Sequence, residues 1–197
     1  MTRSAEIRRE TAETKILLTL DLDGSGAGSR STGVGFLDHM LDLLARHAHI
    51  DLDVSVTGDL QTGAHHTVED TGLALGRALD EALGDRRGIT RYGSAIVPMD
   101  EARALCTVDI SGRPLLVFEG DLPPGITGGM DHELVDEFFR AVASSGKLTL
   151  HVAIERGTNV HHMIEASFKA FARALRVATS IDPGETGIPS TKGTLTE

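Results

Sequence analysis

The chain has 197 residues, 40% hydrophobic and only 4% aromatic with no tryptophan, so its core must be built from Leu, Val, Ile and Ala in one sizeable unit or two small ones. A formal net charge of −10 argues against a general nucleic-acid binder, which needs a basic face for phosphates. No run approaches the roughly 18 apolar residues of a membrane span, the first residues lack the apolar segment of a signal peptide, and the one cysteine, Cys106, excludes an internal disulfide; these features predict a cytoplasmic protein with no membrane partner.

In chain order, residues 7–22 read as two strands, the second stopping at Asp23-Gly24. Residues 24–33 carry four glycines and three serines and read as loop. Phe36, Leu37, Met40, Leu41 and Leu44 recur at helical spacing across 35–47, and 50–57 alternates as a half-buried strand. After a polar loop, His65 opens a helix running to about Leu83 and ended by Gly84-Asp85. The pattern then restarts. Strands are predicted at 91–98, 102–110 and 115–119, with Cys106 as a small hydrophobe in the second of them. A Pro/Gly loop over 120–129 precedes a helix at 133–144, a strand at 147–152 and a helix from His161 to about Thr179. The tail from Asp182 reads as loop.

Both halves thus read as strands, helix, strand, helix, and the likeness extends to residues. His65-His66-Thr67-Val68-Glu69 recurs as His161-His162-Met163-Ile164-Glu165, each stretch at a helix start. Leu75-Gly76-Arg77-Ala78-Leu79 matches Phe171-Ala172-Arg173-Ala174-Leu175, and Leu37-Asp38-His39 falls opposite Val135-Asp136-Glu137. Two packed α+β repeats follow, residues 1–85 and 86–197, in one compact unit without a linker.

Adjacent residues on a helix point about 100° apart, so the two histidines of a motif cannot easily share one metal. The glutamate, three or four residues on, can join either of them on one face. Each motif therefore serves two sites, one histidine to each, and His39 and Glu137 can add a ligand apiece. Nitrogen and oxygen donors without thiolate suit Mn, Fe, Zn or Ni, and a cysteine-type structural zinc site is excluded. A histidine without such a pattern caps a helix or bonds to backbone, which is the reading for His47, His49 and His151; His132, just before a helix, reads as solvent-facing. Pro189-Ser190-Thr191-Lys192-Gly193 is a fair phosphate cradle without the Walker order, though alone it reads as a surface tail. Arg91, Arg113 and Lys169 read as surface charges, and Asp100-Glu101 is a paired carboxylate of open role.

The set of motifs resembles the imidazoleglycerol-phosphate dehydratase family. The segments are Gly35-Phe36-Leu37-Asp38-His39-Met40-Leu41, His65 to Asp70, Arg91-Tyr92-Gly93-Ser94-Ala95, Pro98-Met99-Asp100-Glu101-Ala102, Ser111-Gly112-Arg113-Pro114, His161 to Ala166 with Phe168-Lys169-Ala170, and Pro189 to Gly193. They span essentially the whole chain in family order, with no attached phosphatase domain. The resemblance implies two pseudo-symmetric repeats, each a four-stranded sheet packed on two helices, of the ribosomal protein S5 domain 2-like type. It implies a lyase of histidine biosynthesis that converts imidazole glycerol phosphate to imidazole acetol phosphate and water. It also implies two Mn²⁺ per active site and a homo-oligomer of 24 subunits with sites where subunits meet.

Carried over by residue, one manganese would take His65, His161, Glu165 and Glu137, and the other His39, His66, Glu69 and His162. Arg91, Arg113, Lys169, Ser190 and Lys192 would hold the phosphate, with the last two in a C-terminal phosphate-binding tail. Glu13 would contact substrate near the metal, and Glu165 and Glu13 are the candidate catalytic bases. Many members have histidine where this chain has Glu137 before Phe138-Phe139; carboxylate oxygen also suits manganese. The rival readings are a dinuclear phosphate-ester hydrolase, for which no bridging carboxylate is evident, and a passive metal-binding or assembly protein, which leaves the phosphate-type residues unexplained.

Overall fold

The hairpin strands β1 (Ser4–Glu10) and β2 (Thr14–Asp21) open a computed structural model that describes residues 2–195. β2 buries Thr14, Ile16, Leu18 and Leu20 and exposes Lys15 and Leu17, the period-two pattern of a sheet with one wet face. β3 (Arg30–Ser31) precedes α1 (Gly35–Ala48), and β4 (Asp51–Gly58) then pairs antiparallel with β2 and parallel with β3. The sheet order is β1-β2-β4-β3. The β3 edge lies inside the segment expected to be loop throughout. Asp51 collects the backbone N–H groups of Ser25, Gly26 and Ala27, and Asp53 that of Ser29, which lays the segment along β4.

After α2 (His65–Leu83) the same course repeats. β5 (Tyr92–Met99), β6 (Ala102–Asp109) and β7 (Leu115–Glu119) come first, then α3 (Leu134–Gly146), β10 (Thr149–Arg156) and α4 (Val160–Thr179). The second sheet runs β5-β6-β10-β7, again with a parallel edge strand. β10 begins two residues later than its composition suggests, because Lys147 takes a left-handed conformation (φ 51°) that closes α3.

Two short strands, β8 (Ile126–Thr127) and β9 (Met130–Asp131), form a hairpin beside the Pro/Gly loop. This hairpin corrects the expectation for His132, which is buried rather than solvent-facing. Its Nδ1 lies 2.7 Å from the Pro123 carbonyl and its Nε2 2.9 Å from Thr127 Oγ1. Cys106 is buried in β6 as expected, and burial pushes its thiol pKa up, away from thiolate reactivity.

The helices pair across the repeats: α1 packs on α4, and α2 on α3. α4 lies on β5 and β6, and α2 on β1 and β2. Close approach needs glycine at points such as Gly76 and Gly93. A Cβ at Gly76 would stand 2.5 Å from the Val142 carbonyl of α3, and one at Gly93 would overlap the Ala174 carbonyl of α4. Phe138, Phe139, Phe168 and Phe171 are fully buried where α3 meets α4, with the Phe139 and Phe168 rings 4.9 Å apart between centroids. The rest of this core is almost entirely aliphatic, as the composition requires.

The segment joining the repeats also fixes the C-terminal tail. Arg86, fully buried, donates to the Leu195 carbonyl and to Asp80 Oδ1 (2.5 Å). Gly88 N–H donates to the Gly187 carbonyl (2.8 Å), and Arg91 Nη1 to the Pro189 carbonyl (2.8 Å).

Candidate metal centre

α4 begins with an N-cap: Asn159 Oδ1 accepts from the backbone N–H groups of His161 and His162. The cap holds both histidines in the first turn, where helix geometry splays them. His161 points along the helix to Glu165, with Nε2 3.1 Å from Oε2. His39, carried there by the packing of α1 on α4, places its Nε2 3.4 Å from the same oxygen. Donor atoms of His39, His161 and Glu165 all lie within 4.8 Å of one another, and among the described residues these three form the group able to hold a metal. Two imidazoles and a carboxylate are a fitting donor set for a divalent transition metal. The Phe36 ring packs edge-on against His161 at 5.0 Å between centroids.

Glu165 is almost buried, and its other oxygen lies 2.5 Å from Lys169 Nζ. Burial pushes its pKa up, but the bonds from Lys169, His161 and His39 outweigh that, and the carboxyl stays below its ordinary value. His162 turns away from this cluster. Its Nδ1 lies 2.8 Å from Glu101 Oε2, a bond that raises the histidine pKa and draws the glutamate pKa down.

The first motif, at the start of α2, has no side-chain cap. His65 Nε2 lies 3.6 Å from Glu69 Oε2, the counterpart of the His161–Glu165 pair. His66 Nδ1 lies 3.0 Å from Asp59, which raises the His66 pKa, and its Nε2 lies 3.6 Å from Glu13. Glu13 therefore stands beside a motif histidine. Glu137 sits half-buried in the first turn of α3, the helix packed on α2.

Within one chain, then, His39 joins His161 and Glu165, whereas the resemblance assigned it with His66, Glu69 and His162. The cause is the α1–α4 contact, which brings a residue of the first repeat to the motif of the second.

The cationic residues divide in two. Arg91 makes a two-pronged contact with Asp109, Nε to Oδ1 at 2.7 Å and Nη2 to Oδ2 at 3.2 Å, and Arg113 Nη2 approaches the same carboxylate at 3.7 Å. The Arg91 bond to Pro189 brings Ser190 to this cluster, and Ser190 Oγ accepts from the exposed Lys192 N–H. Lys169 is not the surface charge its sequence position suggests. It is largely buried against Glu165, with Met99 Sδ 3.5 Å away. Arg91 precedes β5 and Met99 ends it; at about 3.3 Å per residue the two ends of that strand are roughly 23 Å apart.

Two side chains that organise these clusters have no motif of their own: Asp59 lies in a polar loop and Asp109 at a strand end. Glu101, in a turn, belongs to the paired carboxylate whose role the sequence left open. Asn159, immediately before an apolar helical pattern, does carry a readable signal, since asparagine is a favoured N-cap.

The family model described as imidazoleglycerol-phosphate dehydratase matches residues 32–175. The protein of that name from Ruegeria pomeroyi is 57% identical, over 98% of this chain and 100% of its own length. The one from Xanthobacter autotrophicus is 56% identical over 98% of both. The crystal structure of imidazoleglycerol-phosphate dehydratase from Staphylococcus aureus superimposes with a TM-score of 0.83 at 41% identity, covering 91% of this chain and 99% of that one. That of the Pyrococcus furiosus protein gives the same score at 38% identity, over 96% and 100%. With the repeated motifs, the paired sheets and these full-length similarities, the chain belongs to the imidazoleglycerol-phosphate dehydratase family.

Proposed function

We propose that this chain dehydrates imidazole glycerol phosphate to imidazole acetol phosphate and water in histidine biosynthesis. We further propose that it does so with two manganese ions per site, at sites completed between subunits of a homo-oligomer in the cytoplasm. The observation that carries the reading is the mixed imidazole–carboxylate cluster of His39, His161 and Glu165 in a chain alike over its whole length to dehydratases. His65 and Glu69 from the first repeat, Glu137 from the second, and His66 and His162 beside their carboxylates, supply the remaining ligands. Sharing between subunits is supported by the roughly 23 Å separating the two ends of β5. A small phosphorylated imidazole cannot span the distance from the Glu165 cluster of one chain to the Arg91–Arg113 cluster of the same chain. A 24-subunit shell is the assembly the family resemblance implies. Among the described residues no helix is long and apolar enough to cross a membrane.

The reaction removes a proton from carbon 2 of the glycerol chain, which is not acidic, and expels the carbon 3 hydroxyl. Manganese, when bound, supplies Lewis acidity to the imidazole ring and makes it an electron sink. The chain's own residues supply orientation and proton transfer. Arginine has five N–H donors, and Arg91 commits three of them to Asp109 and Pro189, so two remain to face a phosphate. Arg113, Ser190 and Lys192 complete that anchor, and Lys169 enters it from the chain that contributes Glu165. Fixing the phosphate places the reacting carbons against the base. Of the two candidate bases, Glu165 has both oxygens bonded and a depressed pKa. Glu13, half-exposed beside His66, has more room to take the proton.

The deciding experiment mixes protein, Mn²⁺ and imidazole glycerol phosphate. Ketone without inorganic phosphate is expected. Release of phosphate would point to a hydrolase, and no turnover with any divalent metal to a passive binder.

A further inference from the structure

Each motif turns its second histidine onto a carboxylate from outside the helix, and the two repeats use different elements to do so. In the second repeat the carboxylate is Glu101, in the turn between β5 and β6. In the first it is Asp59, in the loop between β4 and α2. Neither belongs to the ligand or phosphate sets above. We propose that Glu101 and Asp59 are positioning residues that hold His162 and His66 with the ring proton on Nδ1, leaving Nε2 of each as the metal-binding atom. This rests on the metal reading of the previous section.

An ionised carboxylate only accepts hydrogen bonds, so a ring nitrogen within bonding distance of it must carry the proton; Glu13 at 3.6 Å from His66 Nε2 and Asp100 at 3.8 Å from His162 Nε2 stand beyond that distance. Glu101 Oε2 stands 2.8 Å from His162 Nδ1, and both Asp59 oxygens stand 3.0–3.1 Å from His66 Nδ1. Partners of this kind orient metal-binding histidines, and losing one typically lowers metal affinity about 10–100-fold.

The two clamps differ in rigidity. Glu101 Oε1 is held by the backbone N–H groups of Asn159 (2.7 Å) and Thr158 (3.0 Å), so Oε2 alone can face His162. Asp59 is held by the hydroxyl of Thr62 at 3.1 Å, and either of its oxygens reaches His66. Amide replacements therefore have opposite outcomes. In Glu101→Gln the amide oxygen must stay on the two backbone N–H groups, so the NH₂ faces His162 Nδ1. That nitrogen must then accept, and the proton moves to Nε2. In Asp59→Asn the amide turns its oxygen to His66 and its NH₂ to the Thr62 hydroxyl, which can also accept, so the His66 tautomer is kept.

The test uses metal-free protein with ¹⁵N-labelled histidine, at a pH high enough for neutral rings, with NMR reading the tautomers. Chelator competition on the same proteins reads Mn²⁺ affinity. Wild type should show Nδ1–H on both His66 and His162. Glu101→Gln should move His162 alone to Nε2–H and weaken Mn²⁺ binding about 10–100-fold. Asp59→Asn should leave the His66 tautomer in place and Mn²⁺ affinity within a few-fold. A wild-type His162 or His66 protonated on Nε2 overturns the proposal without any variant having to fold. So does a folded Glu101→Gln protein with unchanged His162 tautomer and affinity. Both rings on Nδ1–H in a wild-type protein that takes up no Mn²⁺ would leave the clamps standing and refute the metal reading instead.

Discussion

The two His-His-x-x-Glu motifs share a sequence pattern and a place at a helix start, yet among the described residues only one sits in a formed cluster. The second has an asparagine cap, a buried glutamate and a third donor atom brought by His39 of α1. The first begins after Ala64 with no side-chain cap, and its Glu69 is 42% exposed at the side chain against 8% for Glu165. One turn beyond the glutamate, the second motif has Lys169 and the first has Leu73, so only Glu165 gains a cation on its second oxygen. Opposite His39 stands Glu137. A motif thus supplies donors, while the cap, the neighbouring helix and the next turn decide whether they are gathered.

The largest test of that contrast is Glu165→Ala beside Glu69→Ala. Removing Glu165 takes away the oxygen that His39 and His161 share, so Mn²⁺ content measured by atomic absorption should fall, and ketone formation should drop by more than the roughly 10–100-fold of an outer-shell loss. Glu69→Ala matching it would show that the assembled site uses the motifs equally; a clearly milder effect would show that the chain's own asymmetry persists in the assembly.

Next, Glu137→Ala should lower metal content and Glu137→His should retain it. Unchanged manganese stoichiometry in purified Glu137→Ala would remove Glu137 from the ligand set. A smaller effect is expected for Asn159→Ala, which removes the α4 cap and should cost about 1 kcal/mol, read as a shift of the urea midpoint. No single substitution at Ala64 should cost as much through capping, since that side chain caps nothing.

The smallest expected effect is on pH dependence. The Glu165 pKa is depressed in the folded chain, so the group contributes stability that is present above its unfolded value of about 4.3. That stability is lost as pH falls through the lower folded value. Lys169→Met should therefore flatten the acid limb of metal-free stability below about pH 4.3, read by thermal melts. An acid limb identical to wild type would mean that Lys169 does not hold Glu165 ionised.

Elements with strong local periodicity were legible: the apolar spacing of residues 36–44 became α1, and the alternation of 50–57 became β4. β3 and the β8–β9 hairpin were not, because two-residue strands carry no period and depend on distant partners such as Asp51 and Asp53. Neither was the surrounding of His132, which a fold-back of the preceding loop buries. At the site, the splay of each histidine pair followed from helix geometry alone. The contacts of Lys169 with Met99, Glu101 with His162 and Asp109 with Arg91 did not, because each joins residues brought together only by the sheet and its covering helix.

The tail that carries Ser190 and Lys192 is tied down at both ends by the short connection between the repeats, through Arg91 at Pro189 and buried Arg86 at Leu195. It is a closed loop rather than a free end. The conformational entropy of closing it is lost during folding, not when an anion arrives. If the tail holds phosphate as proposed, the anion would meet a preformed rim, and cutting the Arg86 tether would leave a loose segment that each ligand must order anew. The weakened binding should then come from slower capture and faster escape, with the phosphate contacts themselves unaltered.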